Sequence, residues 1–402
     1  MDHLRSKFDP LFILNTGHSL HRKCVQPGVF MDLYIDRDEL IRGLARVQGI
    51  VERRSTNLAL SHVLLSAKEG RLRITATDTM SALVADYSAQ VEQEGDLSVD
   101  AHTLYQVARS LSEPTVHIKS GDSNRLNVSC GSARFNVVGM SSEDFPPLPT
   151  RDEKSSLTVS SAGLKRVIDE TIFSISSDDN RYGLNGAHME EVTAEGGDPR
   201  VRLVTTDGSR LSYSEIEYTG EFGMGRRMLL PRKALSELKK LMDGRDHDWT
   251  ISFGERSATL STEGLTLMVR LVDGEFPPYR QVLPTGRKRR VTFERDAFST
   301  ALKHVAIMAA DRNHSVRFAF ESDKLVLTAQ NVDAGDVREE IPVEMDGEPV
   351  YTGFNVRYFQ DILSATRSEQ LVLELGDPLD PCIARIPERD DCLFVVMPMR
   401  LD

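Results

Sequence analysis

The sequence predicts an α+β protein made of three repeated units, each an antiparallel sheet with two helices on one side. Three observations lead to this prediction. Two amphipathic, helix-like stretches recur in the same order in each third of the chain. Between them lies a recurring strand-and-turn segment. The repeat length of roughly 120 to 130 residues is too long for a solenoid and typical of a domain.

The first unit is assigned to residues 31–150. Its first helix begins near Asp38, with Asp36 or Asp38 as the expected N-cap. Its apolar stripe at helical spacing consists of Leu40, Leu44, Val47 and Val51. Strands are predicted in SHVLLSAKEG, RLRITATD and SALVADYSAQV, followed by a second helix near Ala101. A hairpin that turns near Cys130 completes the unit.

The second and third units are assigned to residues 151–285 and 286–402. Their helices begin near Ala162, Pro231, Asp296 and Asn355, and Pro231 suits a first helical turn. The first helix of the second unit has its apolar stripe at Leu164, Val167, Ile168, Ile172 and Ile175. The segments RLVTTDGSR and KLVLTAQNV match RLRITATDT of the first unit. The first two units end in DFPPLP and EFPPYRQVLP, and the third ends in FVVMPMRL.

Residues 1–30 fit no repeat and show no amphipathic period. They are interpreted as a disordered N-terminal extension or as the product of a misplaced start codon.

The composition is that of an ordinary soluble protein, with 40% hydrophobic and 27% charged residues. No apolar run reaches the length of about 18 residues that a membrane helix needs, and the N-terminus does not resemble a signal peptide. The four cysteines are scattered and form no CxxC pair. We therefore expect reduced thiols in a cytoplasmic protein.

The distribution of charge is more informative than the net charge of −12, which alone argues against nucleic acid. The six helix-like stretches contain 14 Lys and Arg against 8 Asp and Glu, so they carry +6 and the rest of the chain carries −18. If the helices share one surface, that surface is electropositive within an acidic protein.

No catalytic template is present: the chain has no P-loop, no GxGxxG after a strand, no HExxH and no GxSxG. Asp78 and Asp207 could suggest a carboxylate metal site, but an Asx-type turn explains them better. The third repeat has Asn331 at this position, which a turn tolerates and metal chemistry does not. We therefore expect no catalytic residue, no metal and no cofactor.

Two further segments have alternative interpretations. SDDNRYGLNG is either a polar surface loop or a loop that presents Arg181 and Tyr182 to phosphates and bases. The apolar chain end, VVMPMRL followed by Asp402, is either a last edge strand or the wall of a hydrophobic groove that accepts several peptides.

The order of these segments, with TTDGSRL, LVDGEFPPYRQVLP and the terminal VVMPMRL, resembles the bacterial DNA polymerase III beta subunits, the sliding clamps. The resemblance covers about residues 31 to 402. It implies a head-to-tail homodimer whose six domains form a ring, with helices inside and sheets outside. It also implies a non-enzymatic, nucleoid-associated processivity factor that encircles duplex DNA without reading its sequence. The implied partners are the replicative polymerase alpha subunit, clamp-loader subunits and other clamp-motif peptides.

The resemblance also implies functional residues. For DNA it implies Arg54, Arg181 and Tyr182. For the subunit contact it implies Phe135 and Val137 against Ile307 and Met308, all of which could instead belong to the core of their own domain. The implied peptide groove consists of Arg181, Leu184, Thr206, Gly208, Ser209, Arg210, Leu211, Pro277, Gln281, Val282, Val396, Met397, Pro398, Met399 and Arg400.

This chain differs from the family pattern at Gly183, where a second tyrosine is common, at Ser209 and Gln281, where some relatives have His and Arg, and at the added Asp402. Two other classes of function compete with the clamp. One is an enzyme with a site at a repeat junction, and the other is a monomeric peptide-binding scaffold without a DNA role. A stable dimer would argue against the scaffold.

Overall fold

Three similar α+β units follow one another in a computed structural model of the chain. The structure describes residues 30–52, 56–149, 155–178, 180–194, 196–223, 228–242, 247–284, 286, 288–309, 313–387 and 389–400. The extension that the sequence predicts at the N-terminus therefore lies outside the described residues, except for Phe30.

The units share one order of elements. The first contains β1 Asp32–Asp36, α1 Arg37–Val47, β2 His62–Lys68, β3 Arg71–Thr77, β4 Ser81–Gln93, β5 Gly95–Asp100, α2 Ala101–Ser110, β6 Thr115–Gly121, β7 Arg125–Cys130 and β8 Ala133–Met140. The second contains β9 Ser155–Val159, α3 Ser161–Thr171, β10 Gly186–Thr193, β11 Pro199–Thr206, β12 Arg210–Glu217, β13 Thr219–Gly220, β14 Met228–Pro231, α4 Arg232–Leu241, β15 Trp249–Phe253, β16 Ser257–Thr262 and β17 Leu265–Arg270. The third contains β18 Arg289–Glu294, α5 Arg295–Met308, β19 Ser315–Phe320, β20 Lys324–Asn331, β21 Gly335–Pro342, β22 Glu344–Asp346, β23 Val350–Asn355, α6 Val356–Ala365, β24 Gln370–Leu375, β25 Cys382–Arg385 and β26 Cys392–Val396.

The six predicted helices and the α+β class are confirmed, and the helix ends follow from local chemistry. Asp36 is the N-cap of α1, because its carboxylate accepts hydrogen bonds from the backbone N–H groups of Asp38 and Glu39. Two predicted stripes were too long. Val51 lies beyond α1, while Ile172 begins a 3₁₀ turn after α3 and Ile175 follows that turn. Pro231 precedes α4 as its N-cap and is not in its first turn.

The sheets cross the boundaries between units. In the first sheet, of 13 strands, β4 of the first unit pairs with β17 of the second. In the second sheet, of nine strands, β12 of the second unit pairs with β26 of the third. A third sheet consists of β21, β20, β19 and β23. The units are therefore joined edge to edge by backbone hydrogen bonds.

The helices form a second layer in the order α2, α1, α4, α3, α6, α5. Neighbours in this order contact each other, except that α1 and α4 line the two sides of a common cleft. Their apolar faces are buried against the sheets: Leu40 and Leu44 of α1 are fully buried, as are Phe298 of α5 and Phe359 of α6. One large core spans the first two units, and a second core fills the third unit. A smaller cluster, which includes Leu211 and Phe276, lies at the junction of the second and third units.

The cap of α1 gives a stability prediction. Replacing Asp36 with Ala leaves two backbone N–H groups without their acceptor and should lower the free energy of unfolding by about 1 kcal/mol. The matched variant Asp38→Ala should cost less, because the Asp38 side chain is exposed and forms a surface ion pair with Arg37. Urea unfolding of both variants measures the difference, and equal losses would argue against Asp36 as the cap.

Candidate functional site

The same capped turn occurs in every unit, where it joins β3 to β4, β11 to β12 and β20 to β21. Asp78, Asp207 and Asn331 each accept two backbone hydrogen bonds through the side-chain oxygen, from residues two and three positions further on. The prediction of an Asx-type turn is confirmed by these bonds. In the second unit this turn forms part of the predicted groove.

Four predicted groove residues lie on or beside the Asp207 turn. The Thr206 hydroxyl donates to the Arg210 carbonyl at 2.6 Å and accepts from the Gly208 N–H at 3.1 Å. Gly208 has φ +90°, a conformation that favours glycine. The Arg181 guanidinium donates to the Asp207 carbonyl at 2.8 Å. The predicted loop that carries Arg181 and Leu184 is thus attached to this turn.

The chain end lies along the same turn. Strand β26 pairs with β12, and the Met397 N–H continues the ladder by donating to the Ser209 carbonyl at 2.9 Å. The Met399 N–H donates to the Gly353 carbonyl at 2.8 Å, so the tail lies between two sheets. Val396 is completely buried, whereas Met397, Pro398 and Met399 are half-buried and Arg400 is exposed. Strand β26 is not the predicted edge strand, because it pairs with β12 on one side and with β25 on the other. After it the chain continues as a half-buried apolar segment, and its role as a groove wall stays a prediction.

A hydrogen-bond network fixes the segment that contains Pro277, Gln281 and Val282. Tyr279 is buried; its hydroxyl donates to Glu190 and accepts from Arg202 at 3.0 Å. Burial raises the pKa of Glu190, but hydrogen bonds from His188 and Tyr279 and the charge of Arg280 outweigh burial and lower that pKa to about 2. Burial, with the bond to Glu190, raises the pKa of Tyr279 to about 12. Pro277, Gln281 and Val282 remain exposed around this anchor.

Cations dominate the exposed part of the helices. The exposed charged residues of the six helices are Arg109, Lys165, Arg232, Lys233, Lys239, Lys240, Lys303 and Arg357 against Asp38 and Asp296. The charge contrast predicted from the sequence is therefore present among the described residues. Arg54 and the side chain of Tyr182 lie outside them, and the backbone of Tyr182 forms a 3₁₀ turn with Leu184.

The four residues predicted for a subunit contact lie on β8, the last strand of the first unit, and on α5, the first helix of the third unit. Phe135 and Val137 on β8 pack against the first core, and Val137 is buried. On α5, Ile307 is 67% exposed, while Met308 packs against the core of the third unit. Val138 on β8 is 64% exposed and was missed in the sequence, because its outward direction depends on strand register.

Two other contacts were also missed. Asp361 and Tyr358 of α6 contact Arg210 of the Asp207 turn, although about 150 residues separate them in sequence. The sequence offered no signal for this pairing beyond the charges themselves. Gly183 lies so close to the Glu275 carbonyl that an added Cβ would be 2.4 Å from that oxygen. Any larger residue at this position, including the tyrosine that the resemblance implies, would therefore require a different loop path.

Within the described ranges, no group of three or more His, Cys, Asp or Glu side chains is arranged to hold a metal ion. No helix in this part of the chain combines the length and apolar character needed to cross a membrane. Cys130, Cys382 and Cys392 are buried free thiols, and burial raises the pKa of Cys392 to about 12.

Three family models match consecutive parts of the chain. The N-terminal, central and C-terminal domains of the DNA polymerase III beta subunit match residues 31–149, 158–278 and 280–400. The beta sliding clamp of Caulobacter vibrioides is 34% identical over 374 residues, which cover 92% of this chain and all of the relative. The clamp of Pseudomonas aeruginosa is 31% identical with the same coverage.

Solved structures give the same result. The Caulobacter crescentus beta sliding clamp, with polyethylene glycol bound in a beta-motif tethering region, has a TM-score of 0.88 and 34% identity. It matches over 92% of this chain and 99% of its own. The Bartonella birtlesii clamp bound to griselimycin has a TM-score of 0.88 at 31% identity, with coverage of 92% and 100%.

The Glu190 network predicts a pH dependence. Because the pKa of Glu190 falls from 4.5 to about 2 on folding, its stabilising contribution is fully present above about pH 4.5 and is lost as the pH falls towards 2. Glu190→Gln should remove part of the decline in the free energy of unfolding between pH 5 and pH 3. Denaturant unfolding at both pH values measures this. The exposed control Glu217→Gln should retain the wild-type slope, and an unchanged slope in Glu190→Gln would contradict the assignment.

Proposed function

The chain belongs to the DNA polymerase III beta subunit family, the beta sliding clamps, and we propose that two copies join head to tail into a ring around duplex DNA. In this family the subunit is a processivity factor and not an enzyme. The boundaries 31–150, 151–285 and 286–402 remain our proposal for the three domains. We also propose a cytoplasmic location at the nucleoid.

The pattern of paired and open strand edges supports head-to-tail closure. The last strand of the second unit, β17, pairs with β4, and the last strand of the third, β26, pairs with the equivalent strand β12. The equivalent strands at the ends of the chain are β8 and β21. Among the described residues, β8 is unpaired on its outer edge from Ala133 to Val138, and β21 pairs only with β20. Joining β8 of one copy to β21 of the second repeats the same junction.

The two existing junctions predict the register of the third. Ser81 and Arg210, each three residues after the capping Asp, lie opposite Val269 and Val396. Both lie across the hairpin from the capping Asp, and the residue across from Asn331 is Gly335. Gly335 would therefore lie opposite Val137, which is buried like Val269 and Val396, and Val337 would lie opposite Phe135. Phe135 and Val337 both face the core of their own unit, so this register joins two apolar cores. The adjacent exposed Ile307 of α5 would be covered by α2 of the second copy.

Charge complementarity favours the same arrangement. Arg134 is the one charged residue of β8, whereas β21 carries Asp336, Glu339 and Glu340 against Arg338. Opposite signs at the two ends favour head-to-tail contact and oppose head-to-head contact. A heterologous contact of this kind gives a closed ring when its rotation closes and a filament otherwise.

The exposed helix cations would line the ring and contact phosphates without reading bases. Arg54, Arg181 and Tyr182 are proposed as further DNA contacts. On the side of the sheets that faces away from the helices, the groove for apolar peptides would be formed by the set of residues that the resemblance implies for it. The polymerase alpha subunit, clamp-loader subunits and other clamp-motif peptides would bind there and be tethered to DNA by effective concentration. The Bartonella relative was solved bound to griselimycin, and we propose that this compound binds the groove of this chain and can serve as its probe.

The proposed register gives a cross-linking prediction. Asn136 and Asp336 are exposed on the outward face of their strands and would lie opposite each other in two copies. A chain with Asn136→Cys and Asp336→Cys should form a covalent dimer on mild oxidation, because directly opposite Cβ atoms lie about 5 Å apart. Non-reducing electrophoresis measures the yield.

The matched control is the pair Arg134→Cys and Asp336→Cys, which is shifted by two residues on the same face. Diagonal neighbours lie about 7–8 Å apart, so this pair should cross-link poorly. Equal yields for both pairs, or a wild-type particle that sediments at 44.9 kDa, would contradict the junction.

Encirclement predicts topological retention. The clamp loaded by its ATP-dependent loader should stay on a closed circular plasmid during gel filtration and be lost after the plasmid is linearised. A ring held by weak phosphate contacts slides off an open end but cannot leave a circle. Equal loss from circular and linear DNA would refute encirclement.

A further inference from the structure

Arg210 does not present a free cation to the groove. Its side chain is only 13% exposed, and all three guanidinium nitrogens donate hydrogen bonds. Nε donates to Asp207 at 3.0 Å, one terminal nitrogen donates to the Phe173 carbonyl at 2.5 Å, and the other donates to Asp361 at 2.5 Å. A peptide bound in the groove would therefore have to compete for this side chain with three hydrogen bonds, two of them short.

The Asp361 contact joins two units. Arg210 belongs to the second unit, whereas Asp361 and Tyr358 lie on α6 of the third. The guanidinium carbon lies 4.6 Å from the centre of the Tyr358 ring and 5.4 Å from that of Phe173. Helix α6 thus holds Arg210 by charge and by ring contact from the side opposite to the turn.

The Arg210 side chain also supports the Asp207 turn, which belongs to the proposed groove. Asp207 receives Arg210 Nε on one carboxylate oxygen and caps the turn through the other. The carbonyl of Asp207 receives Arg181, whose side chain is half exposed. A continuous set of hydrogen bonds therefore runs from α6 through Arg210 and Asp207 to Arg181.

The first junction has a simpler version of this arrangement. There the equivalent carboxylate, Asp78, pairs directly with Lys233 at 2.5 Å, and Lys233 lies on α4, the second helix of the next unit. In both junctions the capped turn of one unit is thus tied to the second helix of the following unit. At the second junction the tie passes through Arg210, beside the proposed groove.

We propose that Arg210 and Asp361 are positioning residues for peptide binding: they hold the Asp207 turn and Arg181 in their binding geometry from helix α6. The resemblance places Arg210 among the groove residues, but its guanidinium is engaged within the protein and supports the groove without contacting the peptide. This proposal rests on the proposed groove. It implies that a substitution on α6, outside the groove, weakens peptide binding, because the turn and Arg181 lose their fixed position.

The test is the affinity of the full-length dimer for fluorescein-labelled griselimycin, measured by fluorescence polarisation. Asp361→Ala should weaken binding about three- to tenfold, and Arg210→Met should weaken it by a similar factor. The affinity of the double variant should be no lower than that of the weaker single variant, since both substitutions break the same set of hydrogen bonds. Asp361→Glu, which keeps the carboxylate, should recover most of the affinity.

The matched control is Asp296→Ala, which removes an exposed carboxylate from the other helix of the third unit. It should bind griselimycin as wild type does. Sedimentation of every variant should give the wild-type dimer, because Asp361 lies away from β8 and β21, and alanine favours the helix. Wild-type affinity in Asp361→Ala, or additive losses in the double variant, would overturn the positioning role. A wild-type chain that binds no griselimycin would remove the groove itself.

Discussion

The structure depends on the pairing of strand edges across unit boundaries. An unpaired row of backbone N–H and C=O groups costs free energy when buried and invites aggregation when exposed, so the last strand of each unit needs a partner. The chain satisfies this need twice, through β4 with β17 and β12 with β26. Because the helices pack on one face of these joined sheets, pairing the edges also aligns the helices in one series. The common cationic side of the helices and the groove at the second junction both follow from this alignment.

Much of the fold could be predicted because its signals are local. The spacing of Leu40, Leu44 and Val47 indicates one buried helix face. Because the pattern recurs in three units, the assignment in each unit supports the assignments in the other two. The ends of the stripes were wrong because an apolar residue can be buried without being helical. Val51 lies in the core after α1 has ended, and Ile175 does so after α3. The pairing of β12 with β26 could not be predicted from the residues alone, since strand pairing across about 180 residues leaves no mark on local periodicity.

The candidate site likewise has a local part that could be predicted and a long-range part that could not. The turns at Asp78, Asp207 and Asn331 were predictable, because an Asx side chain bonds to its own backbone within three residues. The engagement of Arg210 by Asp361 was not, because it depends on how α6 packs against the second unit. The third turn differs from the others in a way that the structure makes meaningful. Asn331 can cap its turn but carries no charge to pair with a helix of a following unit. The proposed subunit junction therefore relies on the strand ladder, on Phe135 and Val337, and on surface charge.

The helix cations must attract DNA without holding it in one place, and their neighbours indicate how this balance is reached. On α4, Lys233 pairs with Asp78, Lys239 with Asp169 and Lys240 with Glu237, so the most basic helix is partly neutralised. Each phosphate that a cation neutralises releases about one counterion, and this release makes the binding free energy more favourable. Many strong contacts would therefore give tight, strongly salt-dependent binding. A lysine that is already paired with a carboxylate must give up that ion pair to bind a phosphate, so each phosphate contact contributes less to the binding free energy. Encirclement can then supply the retention that weak contacts do not, and the duplex can move past the helices at little cost.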